Sequence, residues 1–447
     1  MVKNSISIVQ NGLQRYSFFL KYHIYRHLFG TISNDFTDFP ILYIYRIQNI
    51  ITKNYIKHLI LLNTNYFYFI LFFNGFFATF GRFKFFNSMK NTRMALFSFG
   101  LPFLFYAFFP FSGTTASAQP ADRPRYLDST DFAADPAAHV FDGKIHVYCT
   151  HDWASPVSDR TDGNHYDMRE YTHFAIDTLG NVARHDAILT LEQVPWASKQ
   201  LWACDIARRN GRYYLYFPAK DRQGLFRIGV AVGQRPEGPF VPDPAPIEGT
   251  YSIDPAVFDD NGTFYICFGG LQGGQLQRYA DNRLLEQEHT PAPAEEALAP
   301  RIARLSDDMR SLAEPPRPIV ILDTDGNPLK ADDPHRFFEA AWLHKHNGTY
   351  YFTYSTGSTH LICHATGDSP YGPFTYRGVV LTPVVGWTTH QSVCEYNGKW
   401  YFFFHDCVPS GGISSLRSAK YCELIHEPDG SIRTVEGKPG EGQKTGK

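Results

Sequence analysis

Glutamate is absent from the first 88 residues of this 447-residue chain, and alanine occurs there once, at Ala78. That stretch is crowded with Phe, Ile, Tyr and Asn, whereas from about residue 120 the chain is rich in Ala, Pro, Gly, Asp and Glu. So sharp a break excludes one uniform domain over the whole length. Cysteine is missing before Cys149, and the seven present (Cys149, Cys204, Cys267, Cys363, Cys394, Cys407, Cys422) form no C-x-x-C pair. Zinc is thereby disfavoured. Most of these cysteines sit inside aromatic runs, where Cys acts as a small apolar residue. A disulfide among them stays open for an exported chain. A surplus of charge is lacking too. The formal net charge is −2, so neither nucleic acid nor an anionic membrane is recommended as a partner.

Residues 1–88 read as an upstream stretch translated in frame ahead of the true start at Met89. From there MKNTR forms a short basic segment, ALFSFGLPFLFYAFFPFSG an apolar one, and Ala116-Ser117-Ala118 a small-residue cleavage site. Residues 89–118 are thus expected to be a secretory signal peptide. The stretch His58–Phe80 approaches the length of a spanning helix, but the artefact reading is preferred for it. No Cys follows the apolar segment, so a lipoprotein anchor is not supported. The mature protein is read as residues 119–447, exported to a periplasmic or extracellular space, with no membrane role.

Five times in this mature region one pattern recurs. A polar leader precedes a short apolar run, a tight Gly turn and a dense aromatic strand. The leaders are Asp135 in DPAAHVFDGKIHVYCTHD, Asp205 in CDIARRNGRYYLYFPAKD, Asp254 in DPAVFDDNGTFYICFGG, Glu339 in EAAWLHKHNGTYYFTYSTG and His390 in HQSVCEYNGKWYFFFHDC. The turn glycines (Gly143, Gly211, Gly262, Gly348, Gly398) mark β-hairpins. Runs such as EYTHFAID, FRIGVAVG, THLICHATGD and SSLRSAKYCELI fit the outer strands, and PEGPF and SPYGPF recur after the second and fourth units. The segment Asn282–Leu312 departs from the pattern and is expected to be a long loop or short helix. The DTDGNP run at Asp323–Pro328 lacks the remaining ligands of a calcium loop and reads as a turn. The whole predicts an all-β fold, a five-bladed β-propeller forming a single catalytic domain. Inner strands of a propeller converge on its axis, so the leaders should meet in one pocket.

Carboxylates that meet can hydrolyse a glycosidic bond. Inversion needs one protonated carboxyl to hand a proton to the leaving oxygen and one ionised carboxylate to take a proton from water. A third carboxylate near the acid raises its pKa. From Asp135 to about Val435 the chain resembles glycoside hydrolase family 43, five-bladed propellers that cleave arabinose- and xylose-containing glycans with inversion. The resemblance implies Asp135 in AADPAAHVFDGKIHVY as general base. It implies Asp254 in YSIDPAVFDDNGTFY as the residue that tunes and orients the acid, and Glu339 in FFEAAWLHKHNGTYYFTYSTG as general acid. It places His390 in TTHQSV near the propeller axis, beside a structural calcium or its water shell. It suggests Arg417 in SSLRSAKY as a substrate contact. No cofactor is required. Cys204 stands where the family usually has Pro, outside the trio.

Sugar rings stack on aromatic faces. Trp202, Tyr251, Phe338 and Trp387 adjoin the leaders and are the expected stacking residues; Trp153 is expected at the rim. The polar segment Ser155–Met168 is expected to close one side and favour terminal sugars. Asp205 is read as structural. The expected activity is exo-acting removal of arabinofuranosyl or xylosyl residues from oligosaccharides or polysaccharides, of the α-L-arabinofuranosidase or β-xylosidase type. Two alternatives stay open. A retaining fructan-type hydrolase would want an N-D-P-N-G-like setting, which AADPAAH is not. A non-catalytic propeller lectin would use the same aromatics without needing an acid–base set.

Overall fold

Asp142-Gly143, Asn210-Gly211, Asn261-Gly262, Asn347-Gly348 and Asn397-Gly398 all have positive φ at both residues. This is the type I′ geometry whose twist matches the flanking strands of a two-residue hairpin. A computed structural model describes residues 123–155, 162–178, 180–280 and 283–438, together with the backbone of four strands nearer the N-terminus. The latter (Ile44–Arg46, Lys57–Leu62, Tyr66–Phe73, Phe76–Lys84) pair antiparallel in chain order. The rest of residues 1–88, and the signal-peptide reading of 89–118, lie outside the described residues. Among the described residues no helix is long and apolar enough to cross a membrane.

Each turn joins the first two strands of a blade: Ala133–Phe141 with Lys144–His151, Asp205–Arg209 with Arg212–Asp221, Ala256–Asp260 with Thr263–Phe268, Phe337–His346 with Thr349–Thr356, and Ser392–Tyr396 with Lys399–Asp406. The first strand of each blade packs on the first strand of the next, and that of blade five returns to blade one. The five form a closed ring. The strands after the turns are covered on both faces by neighbouring blades. Arg212–Asp221 accordingly shows eight consecutive buried residues, a continuous run instead of an alternating one.

The third strands lie where the sequence put them in four blades: Tyr171–Ile176, Phe226–Gly233, Ile362–Gly367 and Ser418–Leu424. Blade three differs from expectation. Its third strand, Arg301–Arg304, falls inside the segment expected to be loop or helix and pairs with Thr263–Phe268. Its alternation was hidden by the Glu- and Ala-rich stretch before it. The fourth strand of blade five is not C-terminal: Arg125–Tyr126 pairs with Ser418–Leu424, so the N-terminal end of the domain closes the ring. The PEGPF and SPYGPF elements each hold a cis Gly–Pro peptide and bury Phe240 and Phe374. All seven cysteines are buried, and none of them is joined in a disulfide.

Candidate active site

Three leaders differ from the other two in backbone. Asp135 and Asp254 have φ of 52° and 57°, and Ala340, after Glu339, has φ of 61°. Register slips occur between Ala134 and Ala137 and on both sides of Glu339. Asp is among the few non-Gly residues that enter this region, and the following Pro136 and Pro255 have no N–H to lose from a ladder. The bulges turn the Asp135 and Glu339 carboxyls off their strands toward the axis. Ala340 is pinned by two bonds: its N–H donates to Asp254 Oδ2 at 2.8 Å, and its carbonyl accepts from Gln391 Nε2 at 2.7 Å.

Asp135 is buried and surrounded by donors. Arg417 Nη1 donates to its Oδ1 at 2.7 Å and Thr150 Oγ1 to its Oδ2 at 3.0 Å. Burial alone would raise its pKa, but Arg417 first, then His405 and His390, outweigh it and pull it to about 2. Arg417 is held in turn by Asp152, which accepts from Nε at 2.8 Å and Nη2 at 2.7 Å. The Asp135 N–H donates to His405 Nδ1 at 3.1 Å, which requires that nitrogen to be bare. The ring proton of His405 therefore sits on Nε2, 3.1 Å from the Thr388 carbonyl. Burial and then Arg417 push His405 down to about 3, so it stays neutral.

Glu339 and Asp254 are pushed the other way. Burial first, then the Asp135 charge, lift Glu339 to about 8 against the pull of Arg417. Burial and Glu339 likewise raise Asp254. The Glu339 charge acts on Asp254, so the two titrate as a pair. The Ala340 N–H aimed at Asp254 opposes its rise, and Glu339, lifted to about 8, carries a proton near neutral pH. One cavity thus holds an ionised carboxylate and a protonated one.

That cavity has a volume of about 300 Å³, and its lining includes Asp135, Asp254, Glu339, His390 and Arg417. Of the expected stacking residues, Trp202, Phe338 and Trp387 line it. Phe338 and Trp387 meet edge to face at 5.8 Å, and Trp202 is fixed by its Nε1–H donating to the Tyr166 carbonyl at 3.1 Å. Tyr251 does not line it. Its ring stacks flat on Tyr279 at 4.0 Å, so the expectation for this residue is corrected. Trp153 is also absent from the lining and rests on His151 instead. The segment after Ser155 supplies Gly163, His165, Tyr166 and Met168 to one wall, as expected. Arg417 faces the cavity, but its guanidinium is engaged by Asp152 and Asp135, making it the counter-ion of Asp135 as well as a wall residue. Asp205 accepts from His139 Nε2 at 2.6 Å and the Val257 N–H at 2.5 Å, tying blades one, two and three together.

The sequence reading missed Asp152 and His405. Asp152 follows the first aromatic strand directly in THDW, and His405 is the last residue but one of the final one in FFFHD. Polar residues at the end of an otherwise apolar run were the available signal. For His390, Nδ1 lies 3.8 Å from Asp254 Oδ2, and burial pushes its pKa down to about 4. Among the described residues no group of three or more His, Cys, Asp or Glu is arranged to hold a metal. The nearby carboxylates are already bonded to Arg417 and the Ala340 amide. This donor set does not fit an oxygen-rich calcium cage built from side chains, and no chemical step is routed through a cation.

A model of the glycosyl hydrolases family 43 matches residues 131–421. A xylosidase/arabinosidase of Bacteroides ovatus is 57% identical over 318 residues, covering 70% of this chain and 98% of that protein. A β-xylosidase of Xylanibacter ruminicola is 53% identical over 320 residues, covering 70% of this chain and 100% of that protein. Among solved structures, a family 43 enzyme of Xanthomonas citri complexed with xylotriose is similar at a TM-score of 0.68 and 52% identity, over 72% of this chain and 96% of that one.

Proposed function

Because the chain belongs to glycosyl hydrolases family 43, we propose that it is an exo-acting glycosidase of the β-xylosidase or α-L-arabinofuranosidase type, working with inversion. The observation that carries this reading is the division of charge in one cavity, with Asp135 held near 2 and Glu339 lifted to about 8. Glu339 gives its proton to the glycosidic oxygen as the C–O bond breaks. Water attacks the anomeric carbon from the other face and loses its proton to Asp135. The sugar leaves with opposite configuration, and Glu339 is reprotonated from solvent. Asp254 keeps the proton on Glu339 beforehand; Arg417 and Thr150 keep Asp135 ionised. Trp202, Phe338 and Trp387 offer faces for the ring. A cavity of about 300 Å³, at the small end for ligand sites, suits a terminal sugar.

The test is hydrolysis of p-nitrophenyl β-D-xyloside and α-L-arabinofuranoside, with the first-formed anomer followed by NMR. From the β-xyloside, α-xylose should appear first. β-Xylose first would exclude inversion, and binding without turnover would favour the lectin. We further propose that translation starts at Met89 and that cleavage after Ala118 releases an exported protein. The relatives' near-complete coverage by 70% of this chain supports residues 119–447 as the catalytic unit. N-terminal sequencing of the mature protein should read from Gln119, and a cytoplasmic product retaining residues 89–118 would overturn the export reading.

A further inference from the structure

A second cavity, of about 320 Å³, lies beside the catalytic one, and Asp162, Asn164, Lys199, Lys220, Arg278 and Glu288 contribute to its lining. The two cavities share a thin wall. Gln272 and Gly273 line both, and along one short segment Gly163 and His165 face the catalytic side while Asp162 and Asn164 face the other. The wall is tight: a Cβ on Gly273 would stand 3.2 Å from the Asp162 carbonyl oxygen and 3.3 Å from the Trp202 ring. The two cavities are thus separated by only a few residues, and a branched ligand reaches both by passing over the rim of this wall.

The chemistry of this second cavity is cationic. Three basic side chains face two carboxylates. Lys199 is turned to Asn164 Oδ1 at 2.9 Å. Lys220 is only 5% exposed, and its ammonium rests 4.9 Å from the Phe226 ring centroid. Among the described residues that ammonium forms no salt bridge and donates no hydrogen bond. A largely buried lysine whose ammonium rests on a ring has given up part of its hydration and has no anion within salt-bridge range among those residues. Burial, and then repulsion by Lys199, push Lys220 down to about 8 while Asp162 pulls the other way. An incoming carboxylate would supply what the site lacks, and the amides of Asn164 and Gln272 suit sugar hydroxyls around it.

We propose that this cavity receives the carboxylate of a uronic acid branch on a xylo-oligosaccharide whose terminal unit occupies the catalytic cavity. The inference rests on the β-xylosidase reading proposed above. Lys220 is its central contact, with Arg278 and Lys199 providing the surrounding positive field. Glu288 and Asp162 limit that field, so a singly charged carboxylate is favoured over a multiply charged inorganic anion.

The experiment compares kcat/KM for xylo-oligosaccharides of equal length with and without a glucuronosyl branch, at low ionic strength, in the wild type and in Lys220→Met. A charge-assisted contact of this kind corresponds to about ten- to a hundredfold in favour of the branched substrate in the wild type. In Lys220→Met the ratio should fall toward one. Lys199→Gln, at an exposed position, serves as a second variant and should lower the ratio by a few-fold. D-glucuronate should inhibit cleavage of the branched substrate more strongly than inorganic phosphate at equal concentration. Equal rates on both substrates in the wild type would overturn the inference, as would a preference that both variants retain. Cleavage of p-nitrophenyl β-D-xyloside and α-L-arabinofuranoside by the wild type separates the two readings: if both are left intact, the glycosidase assignment fails; if either is cleaved without branch preference on the oligosaccharides, only the second cavity's assignment fails.

Discussion

Replacing Glu339 with glutamine separates the cost of keeping a buried acid from its use. Burial, and then the Asp135 charge, lift this carboxyl from 4.5 to about 8. A carboxyl whose folded pKa lies above its unfolded value holds its proton more tightly in the native state. Its stabilising contribution is complete below the unfolded pKa and is lost as pH rises through the folded one. At roughly 1.4 kcal/mol per tenfold, the full rise corresponds to about 5 kcal/mol between the two values. Glu339 faces the cavity instead of a closed core, and roughly half of that, about 2–3 kcal/mol, is the expected effect. Glutamine has the same shape and no proton to lose. Scanning calorimetry should find the melting temperatures of wild type and Glu339→Gln close together near pH 4.5. The variant should pull ahead by several degrees near pH 8. Its hydrolysis of xylobiose, whose departing sugar oxygen needs a proton, should fall by about 10²–10⁴-fold. A melting gap that does not change between those pH values would refute the claim that Glu339 carries its proton at a cost to the fold. Turnover equal to wild type would refute its role as acid.

Arg417→Met removes the charge that holds Asp135 near 2, so the acid limb of the pH profile for kcat/KM should move up by about 1–2 pH units; an unmoved limb would mean that Arg417 does not poise the base. Gly163→Ala places a Cβ at φ of 69° and only 2.5 Å from the Trp202 ring, and should raise KM for the β-xyloside about tenfold through a displaced aromatic wall. Unchanged KM would show that Trp202 is not a sugar-binding face. Tyr251→Phe should leave both kinetic constants within about twofold, because Tyr251 stacks on Tyr279 outside the cavity and its buried hydroxyl has no partner among the described residues. A large loss of kcat would restore Tyr251 to the site.

The hairpins could be read from the chain because their determinants are local. An Asn-Gly or Asp-Gly pair fixes the turn, and the strands after it are apolar on both faces, so blade count and leader positions follow from a few residues at a time. Convergence of Asp135, Asp254 and Glu339 followed from the repeat, and their roles from the resemblance. What the sequence concealed depends on long separations. The bond from Arg417 to Asp135 spans 282 residues and the one from His405 to the Asp135 amide spans 270. Nothing near Asp152 or His405 announces such partners. Tyr251 was misplaced for a related reason: adjacency to a leader does not say which way a ring turns, and Tyr279, 28 residues later, decided it. The third strand at Arg301–Arg304 was obscured because only four residues of it pair and the preceding stretch carries no strand pattern.

The ring is fastened where its two chain ends meet, by a two-residue strand at Arg125–Tyr126 and by the bond from the Tyr126 hydroxyl to Asp406. Asp135 belongs to the blade on one side of that clasp and Arg417 to the blade on the other. The ion pair between Arg417 and Asp135 is therefore also a rivet between the first and last blades, beside the clasp. Loosening the clasp, by trimming residues just ahead of Leu127, would blunt the enzyme before it unfolded it, and catalysis would report the breach earlier than any spectroscopic sign of lost strands.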